Sequence, residues 1–139
     1  MKKLFILFII VSLSACNKSD DDSQEMDESF VPPIGTIRIQ DSQMTPVDNG
    51  LVYVFKAQNW NTNGNDPDFA DLTGTTNAQG DAIISVDIPG LYSGSTTERI
   101  YFSIHYSINQ EEKTQFVSLV FTEGEEKSAT ITLPFIIVP

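Results

Sequence analysis

The chain of 139 residues contains one cysteine, one histidine and one tryptophan. Its cysteine is Cys16, so the rest of the chain can form no internal disulfide and offers no thiol nucleophile. The lone histidine, His105, has no Gly-x-Ser-x-Gly motif to accompany it, and a serine triad would need such a positioned nucleophile. We therefore expect His105 to be a half-exposed strand residue and the chain not to be an enzyme.

Basic residues are also scarce, with 8 Lys and Arg against 19 Asp and Glu. The formal charge of −11 makes the surface repel phosphate backbones. We therefore expect no nucleic-acid partner.

Long apolar runs are missing except at residues 4–13, which follow two lysines. A run of about 10 residues is too short to cross a bilayer, which needs about 20 helical residues. The positive start and the apolar stretch are typical of a secretory signal. An ordinary secretory signal is one interpretation of residues 1–15.

The small residues that end this signal favour a second interpretation. Leu13-Ser14-Ala15-Cys16 resembles the lipobox of bacterial lipoproteins. The resemblance implies cleavage before Cys16 and lipidation of Cys16, which would hold the mature chain on a membrane. We predict a signal peptide at 1–15 and lipidation at Cys16.

Residues 16–33 are predicted to be the lipidated cysteine and a disordered acidic tether. Residues 17–29 are polar and strongly acidic, with too little apolar surface to fold. Pro32 and Pro33 mark the boundary of the following domain. The run from Lys18 to Asp22 resembles the acidic export signal of Bacteroidetes surface lipoproteins; the alternative is a solvated spacer. The resemblance implies an outer-membrane lipoprotein of the cell envelope that is exposed at the cell surface.

Residues 34–139 are predicted to form one all-β domain, because apolar residues recur there with a period of two. The pattern favours a single antiparallel β-sandwich of about seven strands, immunoglobulin-like or prealbumin-like, with a barrel as the alternative. Pro134 cannot donate to a ladder, so the last strand is predicted to be an edge. The predicted strands are 34–40, 51–57, 72–76, 81–88, 97–108, 113–122 and 127–133.

Two segments of this domain, 46–54 (PVDNGLVYV) and 75–82 (TTNAQGDA), resemble transthyretin-like (prealbumin-like) sandwiches, including the carboxypeptidase regulatory-like domains. Ile83 or Ile84 stands where that family usually has an aromatic residue. The resemblance implies the fold and a binding, adhesive or spacer role. The family's purine-breakdown hydrolases use several histidines, so their activity is not implied for this chain.

Residues 59–71 form a predicted loop that is longer than a hairpin needs, and long loops are often functional. An exposed Trp60 could stack on a sugar while neighbouring amides bond its hydroxyls. The candidate ligand-binding residues are Trp60, Asn61, Asn63 and Phe69. The candidate calcium ligands are Asp66, Asp68 and Asp71. The alternative is that Trp60 and Phe69 fold back onto the sandwich and the polar residues only form turns.

These observations predict a non-enzymatic cell-envelope lipoprotein that presents a small β-sandwich as a binding or adhesion module. The alternative is a structural or accessory subunit of a larger envelope complex, for example for glycan uptake or adhesion, with the sandwich edges as the contact. The expected partners are the membrane, through the lipid on Cys16, and a glycan or an envelope protein. No cofactor is expected apart from possible calcium.

Overall fold

Seven strands and one short helix make up the computed structural model, which describes residues 29–134. Strands account for about half of this part of the chain and form two sheets packed together, so the predicted all-β sandwich is confirmed. The predicted signal peptide, the lipid on Cys16 and most of the tether lie outside the described residues. The elements are β1 (Ile34–Asp41), β2 (Leu51–Lys56), α1 (Ala57–Asn63), a 3₁₀ turn (Pro67–Phe69), β3 (Leu72–Thr75), β4 (Asp81–Ser85), β5 (Glu98–Ile108), β6 (Glu111–Phe121) and β7 (Glu126–Leu133).

The strands form two sheets, one with the order β4-β1-β7 and the other with the order β3-β2-β5-β6. Every pair is antiparallel except β1 and β7, which run parallel over their whole length. Within residues 29–134 no strand joins the two sheets, which makes the domain a sandwich and not a barrel. β7 is an edge strand, as Pro134 predicted. No helix in the described part of the chain is long and apolar enough to cross a membrane.

The core between the sheets comes from the alternating residues of the strands. The predicted period of two is confirmed on β1, β5, β6 and β7, where alternate apolar residues pack into the core, and β2 and β4 add their own inward residues. Gly35 on β1 leaves room for the ring of Phe102, which would lie 2.7 Å from a Cβ at that position. The buried apolar strand residues of this core are Ile37, Ile39, Val52, Val54, Ala82, Ile84, Ile100, Phe102, Ile104, Phe121, Ile131 and Leu133.

The two segments that resemble transthyretin-like sandwiches meet at Thr76, which is buried. Its hydroxyl donates to the carbonyl of Val47 at 2.6 Å and accepts from the amide of Gly50 at 2.7 Å. Gly80 has a φ of +81°, and a Cβ there would lie 2.5 Å from the carbonyl oxygen of Ile39. Only glycine fits such a position. The residues of the motif therefore fix the turn before β2 and the turn between β3 and β4.

The outer face of the three-stranded sheet carries an ion pair across β1 and β4. Arg38 donates two hydrogen bonds of 2.7 Å to the carboxylate of Asp81. This contact lowers the pKa of Asp81 below its ordinary value. The pair lies opposite the core and away from α1.

The predicted strand 51–57 and the loop after it need correction, because the strand ends at Lys56 and α1 begins at Ala57. Gly64, with a φ of +69°, ends the helix and donates its N–H to the carbonyl of Trp60 at 2.8 Å. Asp66 then caps the 3₁₀ turn, accepting from the amide of Asp68 at 3.0 Å. The helix has only 7 residues, too few to show a helical period among its asparagines.

Candidate functional site

Four aromatic rings gather on the outer face of the four-stranded sheet, where α1 covers it. We call Phe55, Trp60, Tyr101 and Phe116 the aromatic cluster. Trp60 stacks on Tyr101 with parallel planes 1° apart and ring centroids 4.5 Å apart. The ring centroid of Phe116 lies 4.9 Å from that of Trp60. Phe55 meets Trp60 edge-on, with ring centroids 5.4 Å apart. The cluster therefore fixes α1 to the sheet.

Exposure differs sharply within the aromatic cluster. Phe55 is fully buried, Trp60 and Tyr101 are half-buried, and Phe116 is 55% exposed. Trp60 is thus packed against Tyr101 and does not stand free as a stacking platform. Phe69 is 50% exposed at the end of the 3₁₀ turn. Trp60 therefore packs onto the sheet, and the exposed ring next to it is Phe116.

A polar cleft of about 300 Å³ lies beside α1, at the end of β2 and the start of β3. Helical spacing places Asn59, Thr62 and Asn63 on one side of α1, where they line this cleft. Of the predicted ligand-binding residues, Asn63 lies here, whereas Asn61 is exposed on α1 and does not line the cleft. The lining residues are Lys56, Gln58, Asn59, Thr62, Asn63 and Asp71.

Hydrogen bonds hold the wall of the cleft in place. The carboxylate of Asp71 accepts from the amide of Lys56 at 2.7 Å and from the side-chain nitrogen of Asn59 at 3.3 Å. Asn59 also donates to the carbonyl of Phe69, and its own side-chain oxygen accepts from Asn63 at 2.6 Å. Because these groups are already oriented, a ligand would meet a preformed surface.

Lys56 supplies the cation of the cleft. Its ammonium lies 3.4 Å from the carbonyl of Gly90, an exposed contact. An ammonium has three donors, so further donors can reach a ligand. Lys56 and Asp71 together give the cleft one charge of each sign. Sequence reasoning assigned Lys56 to a strand, and it named Asp71 only as a candidate calcium ligand.

The three candidate calcium ligands have separate tasks. Asp66 caps the 3₁₀ turn, Asp68 is exposed within that turn, and Asp71 holds Asn59 and the amide of Lys56. Across residues 29–134 no group of three or more acidic, histidine or cysteine side chains is arranged to hold a metal ion. Calcium binding stays a prediction.

His105 lies on the same outer face as the aromatic cluster, and it is half-exposed as expected. Its Nε2 is 2.9 Å from the carbonyl oxygen of Asn65, and its ring meets Tyr53 edge-on at 5.3 Å. These contacts tie the turn after α1 to β5. His105 thus supports the position of α1.

Comparisons with known proteins support the fold alone. No model of a protein family matches the chain, and no curated protein matches it. A solved structure described as the crystal structure of (S)-allantoin synthase is similar, with a TM-score of 0.50 and 10% sequence identity. The match covers 76% of this chain and 42% of that one, so this chain spans less than half the length of the synthase.

This match corrects the expectation that the chain is not an enzyme. That expectation rested on the absence of a nucleophile motif to accompany His105, whereas the similar structure is described as a synthase, which is an enzyme. A β-sandwich of this kind therefore does not exclude catalysis. At 10% identity the likeness transfers no activity either, because unrelated functions share one fold.

Proposed function

We propose that the chain is a cell-envelope lipoprotein, anchored through Cys16, whose transthyretin-like sandwich binds a neutral carbohydrate in the cleft beside α1. The ordered signal in residues 1–16 supports the anchor, and the acidic tether supports display at the cell surface. The contacts of Thr76 support the transthyretin-like assignment, since they use the residues that carry the resemblance.

The observation that carries the binding function is the preformed polar cleft. Its volume of about 300 Å³ lies at the lower end of the range for small-ligand sites. Amide and hydroxyl side chains line it, and these can both donate to and accept from sugar hydroxyls. Its two charges have opposite signs, which favours a neutral ligand over an ionic one.

Replacing Lys56 with methionine tests the cleft. The change keeps most of the length of the side chain but removes three donors, and we expect affinity for the bound sugar to fall roughly tenfold. The measurement is binding of the full chain to an immobilised panel of neutral oligosaccharides, with melting temperatures recorded for each variant. Lys113→Met is the control, since Lys113 is exposed on β6 and ion-pairs with Glu111 at 2.7 Å. Equal affinity of Lys56→Met and the unmodified chain would contradict the site.

Replacing Cys16 with alanine tests the anchor. The variant has no thiol to carry lipid, so we expect it to move from the membrane fraction to the soluble fraction. Fractionation of cells fed a labelled fatty acid measures both the location and the label. Ser19→Ala is the control and should stay labelled and membrane-bound. Lipidation at Cys16 would be refuted if Cys16→Ala and Ser19→Ala gave the same result, with both variants unlabelled or both still membrane-bound.

A further inference from the structure

β6 is the last strand of the four-stranded sheet, and its outer edge is long. It has 11 residues, against 4 in β3, 5 in β4 and 8 in β7, the other edge strands. In the described part of the chain no strand pairs with β6 on the side away from β5. A long unpaired edge presents backbone groups to which another strand can bond.

Side chains cover one end of this edge. Lys127 donates to the carbonyl of Val120, and the carboxylate of Glu125 accepts from the amide of Thr122 at 2.9 Å. These two backbone groups therefore point away from β5. Directions alternate along a strand, so the backbone groups of Ser118 and Phe116 point the same way as that of Val120. The contacts from Lys127 and Glu125 are made to Val120 and Thr122, and not to the backbone of Ser118 or Phe116.

The side chains along the open stretch define what would fit against it. Phe116 is 55% exposed on the outer face and offers an apolar contact. Glu111 and Glu112 are exposed at the start of β6, and Lys113 ion-pairs with Glu111 at 2.7 Å. Because Lys113 pairs with Glu111, Glu112 supplies the negative charge of this stretch, four residues before Phe116.

We infer that the β6 edge binds an extended segment of another protein, which adds to the sheet as a further strand. The segment carries an apolar residue beside Phe116 and a basic residue beside Glu112, while backbone bonds give the affinity. A second copy of this chain fits less well, since it would bring two chains of charge −11 together. The inference does not depend on the carbohydrate cleft, and it gives the accessory-subunit alternative a defined surface.

The test uses the full chain in detergent micelles and a threonine-rich peptide with one valine and, four residues later, one lysine. Hydrogen exchange by NMR follows the amides of Phe116 and Ser118. We expect the peptide to slow their exchange by roughly tenfold or more, because they become bonded to it. A peptide of the same sequence, with the backbone nitrogens that would face β6 methylated, keeps the charge. Its methyl groups remove those donors and hold the peptide backbone away from the edge, so it should give no protection.

Ser118→Pro provides the matched change in the protein. Its nitrogen faces the open edge, so proline removes no bond to β5 but blocks the added strand. Peptide binding should be lost in Ser118→Pro and kept in Ser118→Ala, with similar circular dichroism spectra for both.

Three outcomes would overturn the inference. They are unchanged exchange of Phe116 and Ser118 with the peptide, equal protection by the methylated peptide, and protection that arises from dimers of the chain without any peptide. The comparison of the two peptides on the unmodified chain decides the matter even if Ser118→Pro fails to fold.

Discussion

Replacing Phe102 with alanine is expected to lower the free energy of unfolding by about 3–5 kcal/mol. Phe102 is fully buried on β5 and meets Phe121 edge-on, with ring centroids 6.3 Å apart. The ring also fills the space above Gly35, which has no side chain of its own. Truncation therefore leaves a cavity that the opposite sheet cannot fill.

Such a loss is a large fraction of the total stability of a small domain, which is about 5–15 kcal/mol. The measurement is denaturant unfolding of the full chain, followed by circular dichroism. Ile83→Ala on β4 is the control, since Ile83 is 68% exposed and its truncation should change the free energy of unfolding by less than about 0.5 kcal/mol. A loss below about 1 kcal/mol for Phe102→Ala would show that the core adjusts around the missing ring.

The inner faces of the strands could be predicted because alternation is a local signal. Ile100, Phe102 and Ile104 are each buried on β5, as their spacing predicts. The parallel pairing of β1 with β7 could not be predicted in this way. Which strands become neighbours depends on contacts between distant parts of the chain, and the sequence of either strand alone does not specify them.

The candidate site was predictable only in part for the same reason. The polar, tryptophan-containing stretch after β2 was the predicted ligand-binding region, and of its residues Asn63 lines the cleft. The stretch did not reveal that Trp60 would stack on Tyr101, which lies 41 positions further along the chain (101 − 60 = 41). Lys56 gave no signal as a cleft residue, because it ends a strand and its place in the cleft depends on how α1 follows that strand.

Because Trp60 packs on Tyr101, the second large loss of stability is expected for Trp60→Ala. We expect the free energy of unfolding to fall by about 2 kcal/mol, less than for a core tryptophan because the ring is half-buried. The loss combines the stack on Tyr101 with the contacts to Phe55 and Phe116. In a domain of this size such a change lowers the melting temperature by roughly 10 °C.

The same substitution should also weaken the proposed binding of sugar in the cleft, since α1 holds Asn59 and Asn63 in place there. Calorimetric melting and sugar binding of the same samples separate the two effects. Phe69→Ala is the control, because Phe69 is 50% exposed and its truncation should leave the melting temperature within a few degrees. Trp60→Phe should recover part of the stability by restoring a ring on Tyr101. If Trp60→Ala and Phe69→Ala had the same melting temperature, the indole would not stabilise the packing of α1 on the sheet. A loss of sugar binding in Trp60→Ala would then indicate direct contact between the indole and the sugar.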